Sequence, residues 1–285
     1  MPVRLGELSI LTSPISLVRI WALVSGCLTL SLGVYAEERA DFHTFKVFCM
    51  AAWGLHFSFT LLIILVEFIQ FQSLVPVSWK NLPVSLAALG TLVYLSTSLA
   101  FPWLLMRENP NPNPKAIVAT VFSCLTFLAY ASETHLIRVQ SREQRGYMAS
   151  APGLLKVFQV FGGCVMLLLV SHQNPDGHPE GWKYWLPLTI YIFCFLMSLG
   201  TVLVVIGDCA NRCLLPFDRL LAVFSHLGVL LYMVVTVISF TNILTIKASG
   251  EKTFGIVTGS VVTCLTLIAY TVDLAFSIKL LCDRS

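Results

Sequence analysis

Cys124-Leu125-Thr126-Phe127-Leu128-Ala129-Tyr130 recurs 140 residues later as Cys264-Leu265-Thr266-Leu267-Ile268-Ala269-Tyr270. Three residues beyond each tyrosine stands an acid, Glu133 and Asp273. The correspondence extends outward from this stretch. Pro14, Arg19, Gly26 and Cys27 match Pro152, Lys156, Gly163 and Cys164 at offsets of 137 or 138. Gly90 and Tyr94 match Gly228 and Tyr232 at offset 138. Glu67 is paired in the same way with Asp208. Matches at a nearly constant offset along the whole chain indicate an internal duplication.

The duplicated unit is too apolar to be soluble. Of 285 residues, 56% are hydrophobic and only 12% are charged, against roughly 25% charged in an ordinary soluble domain. The mean hydropathy is +0.81. These values exclude a disordered chain, a nucleic-acid binder, a disulfide-rich secreted scaffold and a soluble enzyme. They predict an all-α, polytopic membrane protein.

A membrane-spanning helix needs about 20 mostly apolar residues. Eight such runs are predicted, over 15–36, 44–70, 82–106, 115–138, 153–172, 184–207, 217–242 and 254–281. The breaks carry turn chemistry. Asn109-Pro110-Asn111-Pro112-Asn113-Pro114 removes three backbone donors and disfavours helix before each proline. His172 to Gly181 contains Asn-Pro, Asp-Gly and His-Pro steps and reads as another loop.

Eight crossings put both termini on one side of the membrane. Of the 18 lysines and arginines, eleven fall on that side and seven on the other. The bias is concentrated in the central loop, with Arg138, Arg142 and Arg145. The positive-inside rule then predicts cytoplasmic termini. Val34-Tyr35-Ala36 resembles a signal-peptidase site. The repeat equivalence of the first and fifth helices argues that the first helix is retained. Four helices return the chain to its starting side, so the repeat is parallel, unlike the inverted repeats of many transporters. The predicted organisation is a four-helix bundle over 1–140, a basic cytoplasmic linker over 141–152 and a second bundle over 153–285.

Ionisable residues inside a membrane are functional candidates by default. Six of them recur as repeat pairs near the inner face: Arg19 with Lys156, Glu67 with Asp208, and Glu133 with Asp273. The plain reading is one interhelical ion-pair cluster per bundle, with basic side chains reaching toward the interface. The alternative is a proton or ion pathway. That would need polar groups across the midplane, where His56 and His226 are the main candidates. An intramembrane aspartyl protease built on Asp208 and Asp273 is disfavoured. Both acids have repeat equivalents that a single catalytic pair would not need. No nucleophile elbow, phosphate-binding loop, paired Cys-x-x-Cys or His-Glu-x-x-His run is present, and no cofactor is expected.

Six of the nine cysteines fall within predicted helices, and none in a predicted outside loop, so no disulfide framework is expected. Cys209, Cys213 and Cys282 sit at predicted cytoplasmic helix ends, where S-palmitoylation and simple interfacial packing are the two readings. Arg138, Arg142 and Arg145 are expected against the anionic inner leaflet, at about 1 kcal/mol each. A topology signal without any ligand is the alternative. Gly255 and Gly259 form a G-x-x-x-G pattern that permits close helix approach.

Several stretches resemble the myeloid-associated differentiation marker family. The segment Gly146-Tyr147-Met148-Ala149-Ser150-Ala151-Pro152-Gly153-Leu154-Leu155-Lys156-Val157 is similar to its inter-repeat region. Ser123-Cys124, Ala129-Tyr130-Ala131-Ser132-Glu133 and Ala269-Tyr270-Thr271-Val272-Asp273-Leu274 resemble its fourth and eighth helices. Pro76-Val77-Ser78-Trp79-Lys80-Asn81-Leu82-Pro83 resembles its loop between the second and third. The resemblance implies two tandem MARVEL domains and a non-enzymatic organiser of lipid-ordered plasma-membrane domains (membrane rafts). It further implies a link to trafficking or the cortical cytoskeleton. Expected partners are membrane lipids including cholesterol, anionic inner-leaflet lipids, lateral membrane proteins and further copies of the chain, but no nucleic acid. A transporter or channel using the bundle interior is the alternative.

Overall fold

The computed structural model describes residues 12–35, 43–108, 114–140, 146–173, 181–209, 217–245 and 251–282. Eight long helices occur among them: α1 (Pro14–Val34), α2 (His43–Phe68), α3 (Leu82–Glu108), α4 (Pro114–Val139), α5 (Ala151–Gln173), α6 (Trp182–Ile206), α7 (Phe217–Thr245) and α8 (Glu251–Cys282). Each contains a stretch long and apolar enough to cross a membrane. No strand occurs among the described residues. The protein is therefore an all-α, multi-pass membrane protein. The helix limits expected from sequence lie within three residues of those found. The end of α7, expected at 242 and found at Thr245, is among the largest differences.

Local chemistry explains several boundaries. Ser13 caps α1, its hydroxyl accepting from the Ser16 N–H at 3.2 Å, and Pro14 occupies the first turn. α2 and α6 end alike. Gln70 and Asp208 take left-handed conformations with φ of 57° and 53°. The Gln70 N–H donates to Glu67 O and the Asp208 N–H to Val205 O. A left-handed residue after the last turn is a common way to stop a helix.

The chain divides into two compact units, Met1–Ala149 and Ser150–Ser285. In the first, α1 packs on α2 and α4, and α3 packs on α2 and α4. The helices thus stand in a ring in chain order. The second unit repeats the pattern with α5, α6, α7 and α8. A short 3-10 turn, Tyr147–Ala149, belongs to the first unit. There the Met148 N–H donates to Asn81 Oδ1 at 3.0 Å.

The outside of each unit is apolar and much of the inside is polar. Trp21, Leu99 and Val237 are more than half exposed. Thr126, Gln159, Ser225 and Thr263 have no exposure at all. This inverts the soluble pattern because lipid tails are as apolar as leucine, so burial of large side chains gives no advantage. Several buried serine and threonine hydroxyls donate to the carbonyl four residues back, as Thr126 does to Phe122 O and Thr263 to Gly259 O.

Candidate functional site

In the first unit, Arg19 comes from α1, Glu67 from the end of α2 and Glu133 from α4. Arg19 Nε lies 2.5 Å from Glu133 Oε1, and Arg19 Nη1 lies 2.5 Å from Glu67 Oε1. The guanidinium fork can aim two nitrogens at two separate carboxylates. The indole N–H of Trp79, in the α2–α3 connection, also donates to Glu67 Oε1 at 3.3 Å. Arg19 and Glu133 are buried, whereas 17% of the Glu67 side chain is exposed. A residue early in α1 thus meets residues late in α2 and α4, as alternating helix direction requires.

The second unit places Lys156 of α5 against Asp273 of α8, with Nζ 2.6 Å from Oδ2. Lys156 Nζ also donates to Ser225 Oγ at 3.1 Å, and Ser225 donates to Asp273 Oδ2 at 2.5 Å. Gln159 Nε2 donates to the same oxygen at 3.2 Å. Asp273 Oδ1 has no hydrogen-bond partner.

Asp208 does not join this cluster, which corrects its pairing with Glu67. It is exposed and stands one turn too far along. The matching helix ends put Gln70 opposite Asp208, so the structural equivalent of Glu67 is Val205. The second unit lacks the second acid, and instead Ser225 bridges Lys156 and Asp273 while Gln159 donates to Asp273. Neither was singled out from sequence, because a lone serine or glutamine in an apolar run carries no pattern.

Above the ion pairs, the repeat is nearly exact in its hydrogen bonds. The Tyr130 hydroxyl shares a 2.6 Å hydrogen bond with Thr60 and donates to His56 O. The Tyr270 hydroxyl shares a 2.6 Å hydrogen bond with Ser198 and donates to Cys194 O. Tyr94 and Tyr232 stack against these tyrosines at ring-centroid distances of 5.5 and 5.1 Å. Their own hydroxyls are buried without hydrogen-bond partners. The recurrence of Gly90 and Tyr94 as Gly228 and Tyr232 was the sequence signal for this core. A Cβ at Gly90 would stand 3.1 Å from the Tyr130 ring, and one at Gly228 only 2.4 Å from the Tyr270 ring. Glycine there lets the tyrosine ring reach the neighbouring backbone.

His56 is buried, with Nδ1 2.8 Å from Ala52 O. His226 is exposed on the outer side of α7, so the pair does not line one interior path. Arg138 is exposed in the last turn of α4. Arg142, Arg145 and Cys213 lie outside the described residues. Among the described cysteines, Cys209 and Cys282 are exposed. No group of three His, Cys, Asp or Glu among the described residues is placed to hold a metal ion.

The chain is 31% identical to a myeloid-associated differentiation marker homolog of Xenopus laevis, over 99% of each chain. It is 34% identical to the myeloid-associated differentiation marker of Homo sapiens, over 81% of this chain and 71% of the relative. It is 33% identical to myeloid-associated differentiation marker-like protein 2 of Rattus norvegicus, over 81% and 76%. No protein-family model matches the chain, and no solved structure does. With about one residue in three identical along the full length of a relative, the chain belongs to the myeloid-associated differentiation marker family.

Proposed function

We propose that this protein is a non-enzymatic organiser of lipid-ordered plasma-membrane domains, built from two tandem MARVEL modules with both termini in the cytoplasm. Lateral partners and cortical cytoskeleton or trafficking adaptors would assemble around it. The observation that carries this reading is how the buried charges are used. Arg19 is matched by Glu67 and Glu133, and Lys156 by Asp273 and Ser225, while Gln159 donates to Asp273. Interior charge is thereby committed to holding helices together, which leaves the broad apolar exterior as the working surface. Large exposed side chains such as Leu62, Leu99, Leu196 and Val237 favour lipids and other membrane helices as partners.

The deciding experiment is partitioning of the tagged protein in phase-separated plasma-membrane vesicles. Enrichment in the ordered phase, lost on sterol extraction, is expected. Residence in the disordered phase alone would reject the organiser. Ion flux through proteoliposomes above that of protein-free vesicles would favour the transporter or channel. Arg138, Arg142 and Arg145 would hold anionic lipid, each worth about 1 kcal/mol near the surface. Changing all three to glutamine should lower the phosphatidylserine that copurifies with the protein. Unchanged lipid would leave the loop as a topology signal.

A further inference from the structure

Two basic side chains stand level with each other at the end of the second unit that carries Lys156 and Asp273. α7 and α8 are antiparallel neighbours in the ring. Their register is fixed where Ser225 donates to Asp273 at 2.5 Å and where Gly228 faces the Tyr270 ring. Six residues nearer that end on each helix stand Arg219 and Lys279, which therefore share one level. Both are exposed. Neighbouring helix axes stand about 8–10 Å apart, and both side chains are long enough to converge on one group between them. His226 lies two turns further into the span on the same face of α7, about 10 Å deeper than Arg219. It is exposed as well.

The first unit is built differently at this place. The counterparts of Arg219 and His226 are Asn81 and Ala88, both buried. The 3-10 turn Tyr147–Ala149 packs against α3 there, and the Met148 N–H donates to Asn81 Oδ1. The counterpart of Lys279 is Val139. Protein thus covers the start of α3, whereas the start of α7 stands open and basic. An ionisable side chain on the outer side of a spanning helix calls for a polar partner.

We propose that this face of α7 and α8 binds one anionic glycerophospholipid. Arg219 and Lys279 take the phosphate from two sides, the guanidinium as a fork and the ammonium as a point charge. The His226 N–H donates to an ester carbonyl, the next polar group down the lipid, since a neutral imidazole keeps one donor. The acyl chains continue along exposed Val272, Leu230 and Ile268. Charge selects the occupant. Two cations at one level favour a lipid with net negative charge over a zwitterionic one. The histidine below them favours a lipid over free phosphate, which offers it nothing at that depth. Only the placement in the cytoplasmic leaflet rests on the topology proposed above.

Titration of phosphatidylserine into the detergent-solubilised full chain, with bound lipid counted by native mass spectrometry, tests the site. The background carries Arg138→Gln, Arg142→Gln and Arg145→Gln, so that the central loop contributes nothing. One phosphatidylserine per chain is expected ahead of any phosphatidylcholine, and inorganic phosphate should not displace it. Each basic side chain near anionic lipid is worth about 1 kcal/mol, or about fivefold, so Arg219→Gln/Lys279→Gln should weaken binding about 25-fold. His226→Leu should weaken it as well. Lys80→Gln/Lys115→Gln removes the same charge from exposed positions of the first unit and should leave binding unchanged. Full binding by Arg219→Gln/Lys279→Gln or by His226→Leu would overturn the assignment, as would displacement by inorganic phosphate or an equal loss in the first-unit control. Melting temperatures equal to the parent's confirm that the variants are folded. Detergent has neither sidedness nor an ordered phase, so the outcome is independent of topology and of the organiser reading.

Discussion

Lys156 Nζ stands 2.6 Å from Asp273 Oδ2, with side chains 2% and 1% exposed. The two residues are far apart in sequence and belong to the first and last helices of their unit. Removing one partner of a buried pair leaves an uncompensated charge, at a cost of about 3–5 kcal/mol. Lys156→Ala and Asp273→Ala should each lower the melting temperature of the detergent-solubilised protein sharply. Lys156→Met combined with Asp273→Leu should recover most of the loss. Equal damage from the double variant would mean that the pair does more than close the bundle.

Arg19 serves two carboxylates through two different nitrogens, a division that a lysine ammonium cannot reproduce in the same geometry. Arg19→Lys should therefore release Glu67 while keeping Glu133, at a cost of about 1–3 kcal/mol. Trp79, which donates to Glu67, reports the change. Its fluorescence should shift in Arg19→Lys and in Glu67→Gln. A melting temperature equal to the parent's would show that one carboxylate suffices.

The paired tyrosines separate hydrogen bonding from packing. Tyr130→Phe and Tyr270→Phe each remove a hydroxyl with two partners. Each should cost about 0.5–1.5 kcal/mol. Tyr94→Phe and Tyr232→Phe remove buried hydroxyls that have no partner. They should be neutral or stabilising in the same thermal assay. The reverse order would contradict the hydrogen-bond assignment.

Glycine substitutions test close packing in the same way. A Cβ at Gly228 would overlap the Tyr270 ring, whereas one at Gly54 would meet nothing within 4 Å. Gly228→Ala should destabilise by about 1–3 kcal/mol through overpacking. Gly54→Ala should be neutral or gain up to about 1 kcal/mol from better helix propensity. Thermal melts of the two variants, measured side by side, decide the point.

The register of the repeat shows where sequence reasoning stops. Glu67 and Asp208 look equivalent because both are acids at the end of a second helix. Each helix pair carries its own offset, however, and the match at 141 disagrees with the 138 that relates Thr60 to Ser198 and Gln70 to Asp208. Three residues nearly complete a helical turn, so the acid moves beyond the helix end and out of the cluster. In the second unit Ser225 accepts from Lys156, which has protons left after pairing with one acid, and Gln159 donates to Asp273.

By itself, the sequence determined the number of helices, their limits to within a few residues and the duplication, and it marked Arg19, Glu67, Glu133, Lys156, Asp208 and Asp273 as candidates for one ion-pair cluster per bundle. These follow from hydropathy, proline placement and a constant offset, all of which are local or periodic along the chain. Only the tertiary structure decided which hydroxyls are paired, which side of α7 carries His226, and that Asp208 stands apart. Those depend on helix rotation and on where each helix stops. In a membrane, apolar side chains fit equally well against lipid and against protein, so hydrophobicity cannot set either one.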